Sequence, residues 1–464
     1  MSFISLNFLA FTVIIFLIYY LRIFRGYQVH ILVLGSLVYF SICDFRFLWL
    51  LLFAVLATQC ALLLSLKNKK IWLICGILFN IGLLAFFKYK FLFLSTSVSA
   101  GAETGMWAWL LALPLPVGIS FFVFHNISFL VDFHKNALIQ KPPAIANTFL
   151  YIIFFPQLVA GPITRAESFF PQIQPKEFKH IPWVSAIRWI VVGFFMKSFC
   201  ANNLNCLTVF LDTTDGLKTL GGLDRVYLLF LYSFQIYADF FGYSAMAVGL
   251  ALLFGYQLPV NFNLPYLAVS ISDFWHRWHI SLSTWLKQYI YIPLGGNRKG
   301  EARTYLNLML VMGIGGLWHG ASLNYLAWGL FHGIFLCIER FFGSIVSKAQ
   351  VLSFHPFQKF CGILYSLGVF VFVSAAWMFF KMPNFEMLCT FVSGAISNPW
   401  AAFRSDYFYI FGVIYALPVL LQHLFNKPQD YRAYKIMEPA LYAMMLFLAI
   451  VEAGPESAFI YFQF

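Results

Sequence analysis

The sequence predicts an all-α integral membrane protein, and three observations lead to that fold class. Hydrophobic residues make up 61% of the 464-residue chain, and charged residues make up only 10%. A soluble domain carries roughly 25% charged residues and cannot hide this much apolar surface, which excludes a soluble globular enzyme. The apolar residues also fall into runs close to the about 20 residues that a helix needs to cross a bilayer.

The apolar runs follow one another along the chain, and each is a candidate helix. Some are too short or too broken to cross, so we expect roughly 10–12 full spans with additional re-entrant or interfacial helices. Arg22 and Arg25 follow the first run and no small-residue cleavage site stands after it, so we expect it to be retained as a membrane segment. The runs are 3–21, 28–46, 47–66, 71–95, 107–131, 146–163, 184–210, 223–255, 303–318, 321–345, 358–380, 406–425 and 436–453.

The net charge of +12 indicates a partnership with a lipid bilayer rather than with nucleic acid. Lys and Arg residues are scattered between the apolar runs, as expected from cytoplasmic loops that carry positive charge and contact anionic lipid. The eight cysteines lie singly in apolar segments, without the Cys-x-x-Cys or Cys/His spacing of a zinc site. We therefore expect neither a metal site nor a disulfide framework.

The segment Phe154–Thr164 interrupts an apolar run with Pro156, Gly161 and Pro162. Irregular backbone at membrane depth is tolerated only where protein or a water-filled cavity covers it. The pattern therefore predicts a broken or re-entrant helix that lines an internal chamber, and a simple loop is the alternative.

A second polar interruption reads SISDFWHRWHISLSTWLKQYIYIPLGGNRKG from Ser270 onward. Ser270 and Asp273 have the spacing of a helix N-terminus, and the pattern predicts a helix over 274–291 that is too polar to face lipid. On such a helix Trp275 and His279 lie four residues apart and share a face. Either His279 takes part in the chemistry of a site, or it hydrogen-bonds a backbone carbonyl.

A third motif, GIGGLWHGAS, surrounds His319 with glycines. Glycines allow helices to pack closely and leave space beside a reacting centre. A neutral imidazole, with an ordinary pKa of about 6.5, can take the proton from an attacking hydroxyl as a general base. The alternative is a core histidine with satisfied hydrogen bonds.

Two further polar residues, Asp239 and His332, stand in apolar segments. We expect Asp239 either to orient an imidazole or to form a buried ion pair with a basic residue. His332 is expected to have a structural or supporting role.

These segments together resemble the signature of the membrane-bound O-acyltransferase (MBOAT) family. The central motif, GGLWHGAS and the stretch FFPQLVAGPITR from Phe154 are most similar to a bacterial branch of the family, the membrane subunit of alginate O-acetyltransferase and its peptidoglycan and exopolysaccharide relatives. The resemblance begins near residue 154 and continues to the end of the chain, whereas the N-terminal part matches only in hydropathy.

The resemblance implies an MBOAT fold, with helices around a central catalytic chamber and one domain over 1–464. Peripheral helices would occupy 1–150, the catalytic core 151–345, and C-terminal helices with an aromatic tail 346–464. It implies an O-acyltransferase of the bacterial inner membrane, with His319 as catalytic base and His279 assisting on the donor side.

The resemblance also implies the donor, the acceptor and a partner. The donor is expected to be acetyl-CoA or another acyl thioester, bound as a substrate, with no permanently bound cofactor. Asn297, Arg298 and Lys299 lie in a Gly-rich basic loop that can approach its phosphates, although helix capping and contact with anionic lipid are alternatives. The chain has no Gly-x-Ser-x-Gly motif, so a periplasmic SGNH-type esterase-like partner would complete transfer to a polysaccharide.

The chain ends with FIYFQF, and its F-x-Y-x-x-F pattern resembles the C-terminal motif of polymer-acylation systems in which the tyrosine is proposed to carry the acyl group. The resemblance implies that Tyr461 is a covalent carrier. A tyrosine hydroxyl has an ordinary pKa of about 10 and needs a nearby base, which His319 could provide. The alternative is an aromatic anchor at a membrane interface.

Three other functions fit part of the pattern. The acyl group could be D-alanine or another group loaded from a carrier protein. Broken helices and buried charge also occur in transporters, although the chain shows no pair of related halves. A non-catalytic scaffold would not need two histidine motifs.

Overall fold

The computed structural model describes residues 2–67, 70–94, 112–135, 142–346, 355–424, 432–457 and 459–460. Within these ranges the regular secondary structure is helical, without a strand, which confirms the predicted all-α class. The α-helices are α1 (Leu6–Tyr20), α2 (Gln28–Asp44), α3 (Leu48–Leu66), α4 (Lys70–Leu94), α5 (Ile119–Lys135), α6 (Ile145–Ile153), α7 (Phe155–Leu158), α8 (Ala166–Phe169), α9 (Trp183–Phe195), α10 (Asn202–Thr208), α11 (Thr214–Lys218), α12 (Gly222–Leu253), α13 (Ile271–Arg277), α14 (Ile280–Leu286), α15 (Glu301–His319), α16 (Leu323–Val346), α17 (His355–Ala376), α18 (Met378–Lys381), α19 (Phe385–Ser397), α20 (Asp406–Leu424) and α21 (Arg432–Val451). Short 3-10 helices cover Arg22–Tyr27, Phe45–Phe47, Phe170–Gln172, Phe178–His180, Val209–Leu211 and Pro265–Leu267, and π-helical turns cover Met196–Ala201 and Lys287–Tyr291.

Seven helical stretches in the described part of the chain are long and apolar enough to cross a membrane. Three shorter apolar helices accompany them, at Leu6–Tyr20, Phe385–Ser397 and Ile436–Val451. The protein is therefore a multi-pass membrane protein, while the expected number of full spans stays a prediction. The seven stretches are Arg22–Leu66, Lys70–Lys90, Trp183–Leu211, Gly222–Leu253, Leu323–Gly343, Gly362–Lys381 and Asp406–Leu424.

The chain forms two compact units. The first comprises Met1–Ile190 and Ser244–Pro259, and the second comprises Val191–Tyr243 and Val260–Phe464. By residue number, all the candidate site residues belong to the second unit. The expected organisation of the chain into 1–150, 151–345 and 346–464 within one domain stays a prediction.

The first unit contains the predicted break around Pro156. Between α7 and α8 the chain has no regular structure, and it is held by buried side chains. The Tyr151 hydroxyl donates to the carbonyl oxygen of Thr164 at 2.8 Å, and the Thr164 hydroxyl donates to Gln157 Oε1 at 2.7 Å. The backbone N–H of Thr164 donates to His125 Nε2 at 3.1 Å. These bonds satisfy backbone groups that have left the helix, so the predicted break is confirmed, whereas its lining of a chamber stays a prediction.

Candidate active site

His319 is the last residue of α15, where that helix packs against α16. A Cβ atom built on Gly316 would lie 2.2 Å from the carbonyl oxygen of Tyr325, and one on Gly329 would lie 2.2 Å from that of Met312. Both distances are far below van der Waals contact, so the two helices approach this closely because both positions are glycine. The close packing predicted from the glycines around His319 is confirmed.

Among the described residues, three aromatic rings pack against the His319 imidazole. Trp318, Phe380 and Trp328 have ring centroids 4.9, 5.0 and 5.1 Å from it. The side chain is nearly buried, and it lines a cavity of about 810 Å³, the large cavity. Ligand pockets have volumes of roughly 300–1,000 Å³, so an acyl thioester has room beside the imidazole.

The wall of the large cavity combines apolar side chains with basic groups. A substrate with an acyl end and anionic phosphates matches this combination, because the acyl part gains from burial and the phosphates from Arg and Lys. The apolar residues include Ile280, Leu282, Leu286, Leu308, Val311, Met312 and Leu336, and the basic ones are Lys287, Arg298 and Arg340.

The loop LGGNRK has a conformation that depends on its two glycines, whose φ angles are 106° and 57°. The side-chain amide of Asn307, on α15, donates to the carbonyl oxygen of Gly296 at 2.8 Å and so fixes the loop to the helix of His319. Asn297 and Arg298 line the large cavity. The Lys299 side chain is exposed and lies over the first of the two glycines.

The central motif starts as predicted but does not form one helix. The Ser270 hydroxyl accepts a hydrogen bond from the backbone N–H of Asp273 at 3.0 Å, which confirms the expected N-terminus. The continuous helix expected over 274–291 is wrong. α13 ends at Arg277, α14 begins three residues later at Ile280, and His279 lies between them in the left-handed region with φ 43° and ψ 53°.

Asn261 provides the hydrogen-bond partners that allow this break. Its carbonyl oxygen accepts from the backbone N–H of Ile280 at 2.9 Å, and its side-chain oxygen accepts from the Ser281 hydroxyl at 2.6 Å. The first N–H groups of a helix have no partner within that helix. A residue from another segment therefore satisfies the start of α14, and the helix can begin anew.

His279 is completely buried. The expectation that Trp275 and His279 share a helix face is wrong, because Trp275 lies on α13 and His279 lies in the break that follows it. The His279 ring contacts Phe240 at 4.6 Å and Trp318 at 5.9 Å between centroids. Burial lowers the pKa of its imidazole to about 3, so the ring is uncharged at neutral pH. Trp318 thus contacts both His279 and His319, and His319 is the one that lines the large cavity.

Several residues near His319 carry no sequence signal that distinguishes them. His276 is exposed and lines the large cavity. On a continuous helix it would face away from His279, so its place at the cavity was not expected. Phe380 and Trp328 contact the imidazole but read as ordinary aromatic residues of apolar helices. A pattern of local spacing finds none of them, because tertiary packing brings them to the site.

His332 lies one helical turn after Trp328 on α16 and is completely buried. Its ring centroid is 5.0 Å from that of Trp328 and 5.3 Å from that of Trp275. Trp328 also contacts His319, so His332 reaches the His319 imidazole indirectly, through the Trp328 ring. The expected supporting role of His332 stays a prediction.

Asp239 forms a buried ion pair, as one of the two alternatives predicted. Its Oδ1 lies 2.7 Å from Nζ of Lys197, and both side chains are at most 5% exposed. Lys197 belongs to the π-helical turn Met196–Ala201, and such turns often occur at functional sites. A Cβ on Gly242 would lie 2.9 Å from the Lys197 backbone nitrogen, so this glycine permits the close approach.

The ion pair holds the tail segment, defined here as residues 454–457 with 459 and 460. The backbone N–H of Ile460 donates to Asp239 Oδ2 at 2.8 Å. Lys197 Nζ donates to the Ser457 carbonyl oxygen at 3.1 Å, and the Ser457 hydroxyl donates to Asn202 Oδ1 at 2.9 Å. The tail segment is thus tied to buried polar groups on both sides.

Phe459 continues the tail segment into an aromatic cluster. It is buried, with its ring centroid 4.7 Å from that of Tyr243 and 5.9 Å from that of Phe240, which in turn contacts His279. Tyr461, the expected acyl carrier, lies outside the described residues.

Comparison with known proteins identifies relatives of this chain. Residues 32–380 match the family model described as MBOAT, membrane-bound O-acyltransferase family. The chain is 34% identical over 401 residues to a peptidoglycan O-acetyltransferase of Helicobacter pylori, an alignment that covers 79% of this chain and 73% of the relative. It is 34% identical over 330 residues to a probable alginate O-acetylase AlgI of Pseudomonas putida, covering 69% of this chain and 64% of that relative, a little under two thirds of its length.

A more distant similarity connects the chain to a teichoic acid D-alanyltransferase of Bacillus subtilis, with 27% identity over 283 residues, 58% of this chain and 69% of the relative. The family match includes the break at Pro156 and both histidines, His279 and His319. Because the match to a family of enzymes covers most of the chain, we reject the transporter and scaffold alternatives. The chain belongs to the membrane-bound O-acyltransferase family and is an O-acyltransferase.

Proposed function

We propose that the protein takes an acetyl group from acetyl-CoA on the cytoplasmic side of a bacterial inner membrane and makes it available for O-acetylation of an extracytoplasmic polysaccharide. The observation that carries the proposal is the position of His319, which a glycine-packed helix end brings to a large cavity that Arg298 also lines. The similarity to a peptidoglycan O-acetyltransferase and to probable alginate O-acetylases supports the acetyl group and a polysaccharide acceptor.

In the first step of the proposed reaction the Tyr461 hydroxyl attacks the carbonyl carbon of the thioester while His319 takes the hydroxyl proton. The C–O bond of a tyrosyl ester forms and the C–S bond breaks. Coenzyme A leaves as a thiolate and receives the proton from His319. In the second step a hydroxyl of the periplasmic SGNH-type partner attacks the tyrosyl ester and its proton passes to the phenolate, which frees Tyr461 and leaves the acetyl group on the partner. In a third step a polysaccharide hydroxyl attacks the partner's ester, its proton passes to the partner's oxygen, and the acetyl group ends on the polysaccharide.

The contacts of the tail segment support this role for Tyr461. The residue before it, Ile460, donates its backbone N–H to Asp239, and Phe459 is buried against Tyr243. Burial of Phe459 and Ile460, the two residues before it, supports the proposed carrier role over that of an aromatic anchor at the membrane surface.

The donor is proposed to bind along the large cavity, with its phosphates at the loop LGGNRK. Arg298 presents a guanidinium group that can bind phosphate oxygens in pairs, and Asn297 adds an amide. Lys299, which is exposed, would contribute at the cytoplasmic entrance rather than inside the cavity. His279 is proposed to assist His319 through Trp318, because the Trp318 ring contacts both imidazoles.

The proposal is tested by the transfer of radiolabelled acetyl groups from acetyl-CoA in membranes that contain the protein and its candidate partner. We expect His319→Ala to lower labelling by about 100-fold or more, since a positioned base contributes that much. Tyr461→Phe should leave no label on the chain. His180→Ala, at an exposed position in the first unit, is the control and should label as wild type does. Equal labelling by His319→Ala and wild type would contradict the proposal.

The similarity to a teichoic acid D-alanyltransferase keeps one alternative open, in which the acyl group is D-alanine from a carrier protein. The same membranes are therefore offered D-alanyl thioester on a carrier protein. Labelling by that donor alone, lost in His319→Ala, would establish the alternative in place of acetyl transfer.

A further inference from the structure

A small polar cavity of about 40 Å³ lies in the second unit beside the tail segment. Two carboxylates reach it, Asp239 paired with Lys197 and Asp212 paired with Lys381, each pair at 2.7 Å. A buried water needs roughly 10–15 Å³ and two to four polar partners, so the cavity has space and partners for about two or three waters. Its other polar wall residues are Asn205, Tyr232, Gln235 and Ser457.

The ring of Phe380 separates the small polar cavity from His319. Phe380 lines that cavity, and its ring centroid lies 5.0 Å from the imidazole. The side chain is buried, with the rings of Tyr325 and Trp328 packed against it at 5.0 and 5.3 Å. His319 lines the large cavity and Phe380 lines the small one, so among the described residues the Phe380 ring lies between the imidazole and the polar space.

Water beside His319 would turn acyl transfer into hydrolysis. An imidazole that takes a proton from a phenol can also take one from water, and the water oxygen then attacks the thioester carbonyl. The C–S bond breaks, and the products are acetate and the thiol of coenzyme A. Enzymes that pass on a reactive acyl group therefore exclude water from the base.

We propose that, once the donor fills the large cavity, Phe380 keeps the water of the small polar cavity away from His319 and thereby favours acyl transfer over hydrolysis. The inference rests on the proposed function, because it requires a thioester donor and His319 as the base. Phe380 exchanges no proton itself. It is a positioning residue that decides which hydroxyl reaches the imidazole, and so it determines specificity for the acceptor.

The test compares two rates in membranes containing wild type and Phe380→Ala: the release of free thiol with acetate from acetyl-CoA, and the transfer of label to the chain. Removing the ring joins the small polar cavity to the imidazole, so we expect hydrolysis to rise about tenfold or more while transfer falls. In Phe380→Ala combined with His319→Ala the added hydrolysis should disappear. A merely structural role for Phe380 lowers both rates and raises neither.

The control is Phe379→Ala, the preceding residue on α18. Phe379 is half-buried and packs against Phe331 at 5.6 Å, away from the lining of the two cavities described here. It should hydrolyse acetyl-CoA at the wild-type rate. Because loss of a buried ring can unfold a protein, Phe380→Leu is measured as well, and it should show a smaller rise in hydrolysis.

The outcomes separate the inference from the proposed function. Wild-type transfer that depends on His319, with no rise in hydrolysis in Phe380→Leu or in a folded Phe380→Ala, would overturn the inference and leave the proposed function standing. A wild type whose transfer does not depend on His319 would overturn the proposed function first.

Discussion

At the scale of single residues, the tail segment depends on the buried ion pair between Lys197 and Asp239. Lys197→Met leaves Asp239 buried without its counter-charge, which costs about 3–5 kcal/mol, and it also removes the bonds to Ser457. We expect a lower melting temperature in detergent and faster proteolysis within the tail segment. Both are measured on purified protein, the second by mass spectrometry of the released peptides.

An exposed ion pair provides the control for this prediction. Lys218 and Asp215 lie 3.1 Å apart, with side chains 68% and 94% exposed. Pairs of this kind contribute about 0–1 kcal/mol, so Lys218→Met should leave both measurements near wild type. Equal melting temperatures for Lys197→Met and Lys218→Met would show that the buried pair does not stabilise the fold.

The close helix packing around His319 could be predicted from the sequence, whereas the contacts of Phe380 and Lys197 could not. The glycines around His319 are a local pattern with a direct physical meaning, since they remove side-chain volume from one helix face. Phe380 is one of 57 phenylalanines, and its role depends on a ring contact with a distant residue. For Asp239 the sequence left two alternatives, because burial of a carboxylate requires a partner without specifying which residue supplies it.

At the scale of elements, the contact between α15 and α16 holds the His319 imidazole in place. Gly316→Ala inserts a methyl group 2.2 Å from a backbone oxygen, so the helices must separate at a cost of roughly 1–3 kcal/mol. A shift of His319 follows, and transfer should fall by about tenfold or more because reacting groups tolerate little displacement. The melting temperature and the rate of label transfer test both effects.

Gly313→Ala is the matched control on the same helix. A Cβ at this position would meet Leu330 at 3.5 Å and Leu326 at 3.6 Å, which are ordinary contacts. Alanine favours a helix over glycine by about 1 kcal/mol, so this variant should be as stable as wild type or more so. If Gly316→Ala and Gly313→Ala lose activity to the same extent, the role assigned to Gly316 is wrong.

The break at His279 shows why the elements of the site were only partly predictable. Ser270 caps α13 through a bond to a residue three positions away, and such local bonds can be recognised in a sequence. The restart at α14 instead needs Asn261, which comes from a separate segment. Residues 274–291 have good helical spacing, so tertiary hydrogen bonds and not local preference decide that the helix stops.

At the scale of the whole molecule, the fold class follows directly from hydropathy, because a chain with 10% charged residues has to lie in lipid. The number of spans does not follow in the same way. The described part has seven helices of sufficient length and three shorter apolar ones, and the large cavity that His319 lines is lined by the short helices α13 and α14 as well as by the longer α15 and α16. Hydropathy detects long continuous runs and says little about pieces of this size.

A multi-pass protein with a donor site in a basic loop should accept its donor from one side of the membrane. Arg298 lines the large cavity, and positively charged loops are retained on the cytoplasmic side. The phosphates of acetyl-CoA keep it from crossing a sealed bilayer, since charged groups are costly in hydrocarbon. We therefore expect radiolabelled acetyl-CoA to label the chain in sealed inside-out vesicles and not in sealed right-side-out vesicles. Permeabilising the right-side-out vesicles with detergent should restore labelling. Equal labelling of both sealed preparations would contradict entry of the donor from the cytoplasmic side alone.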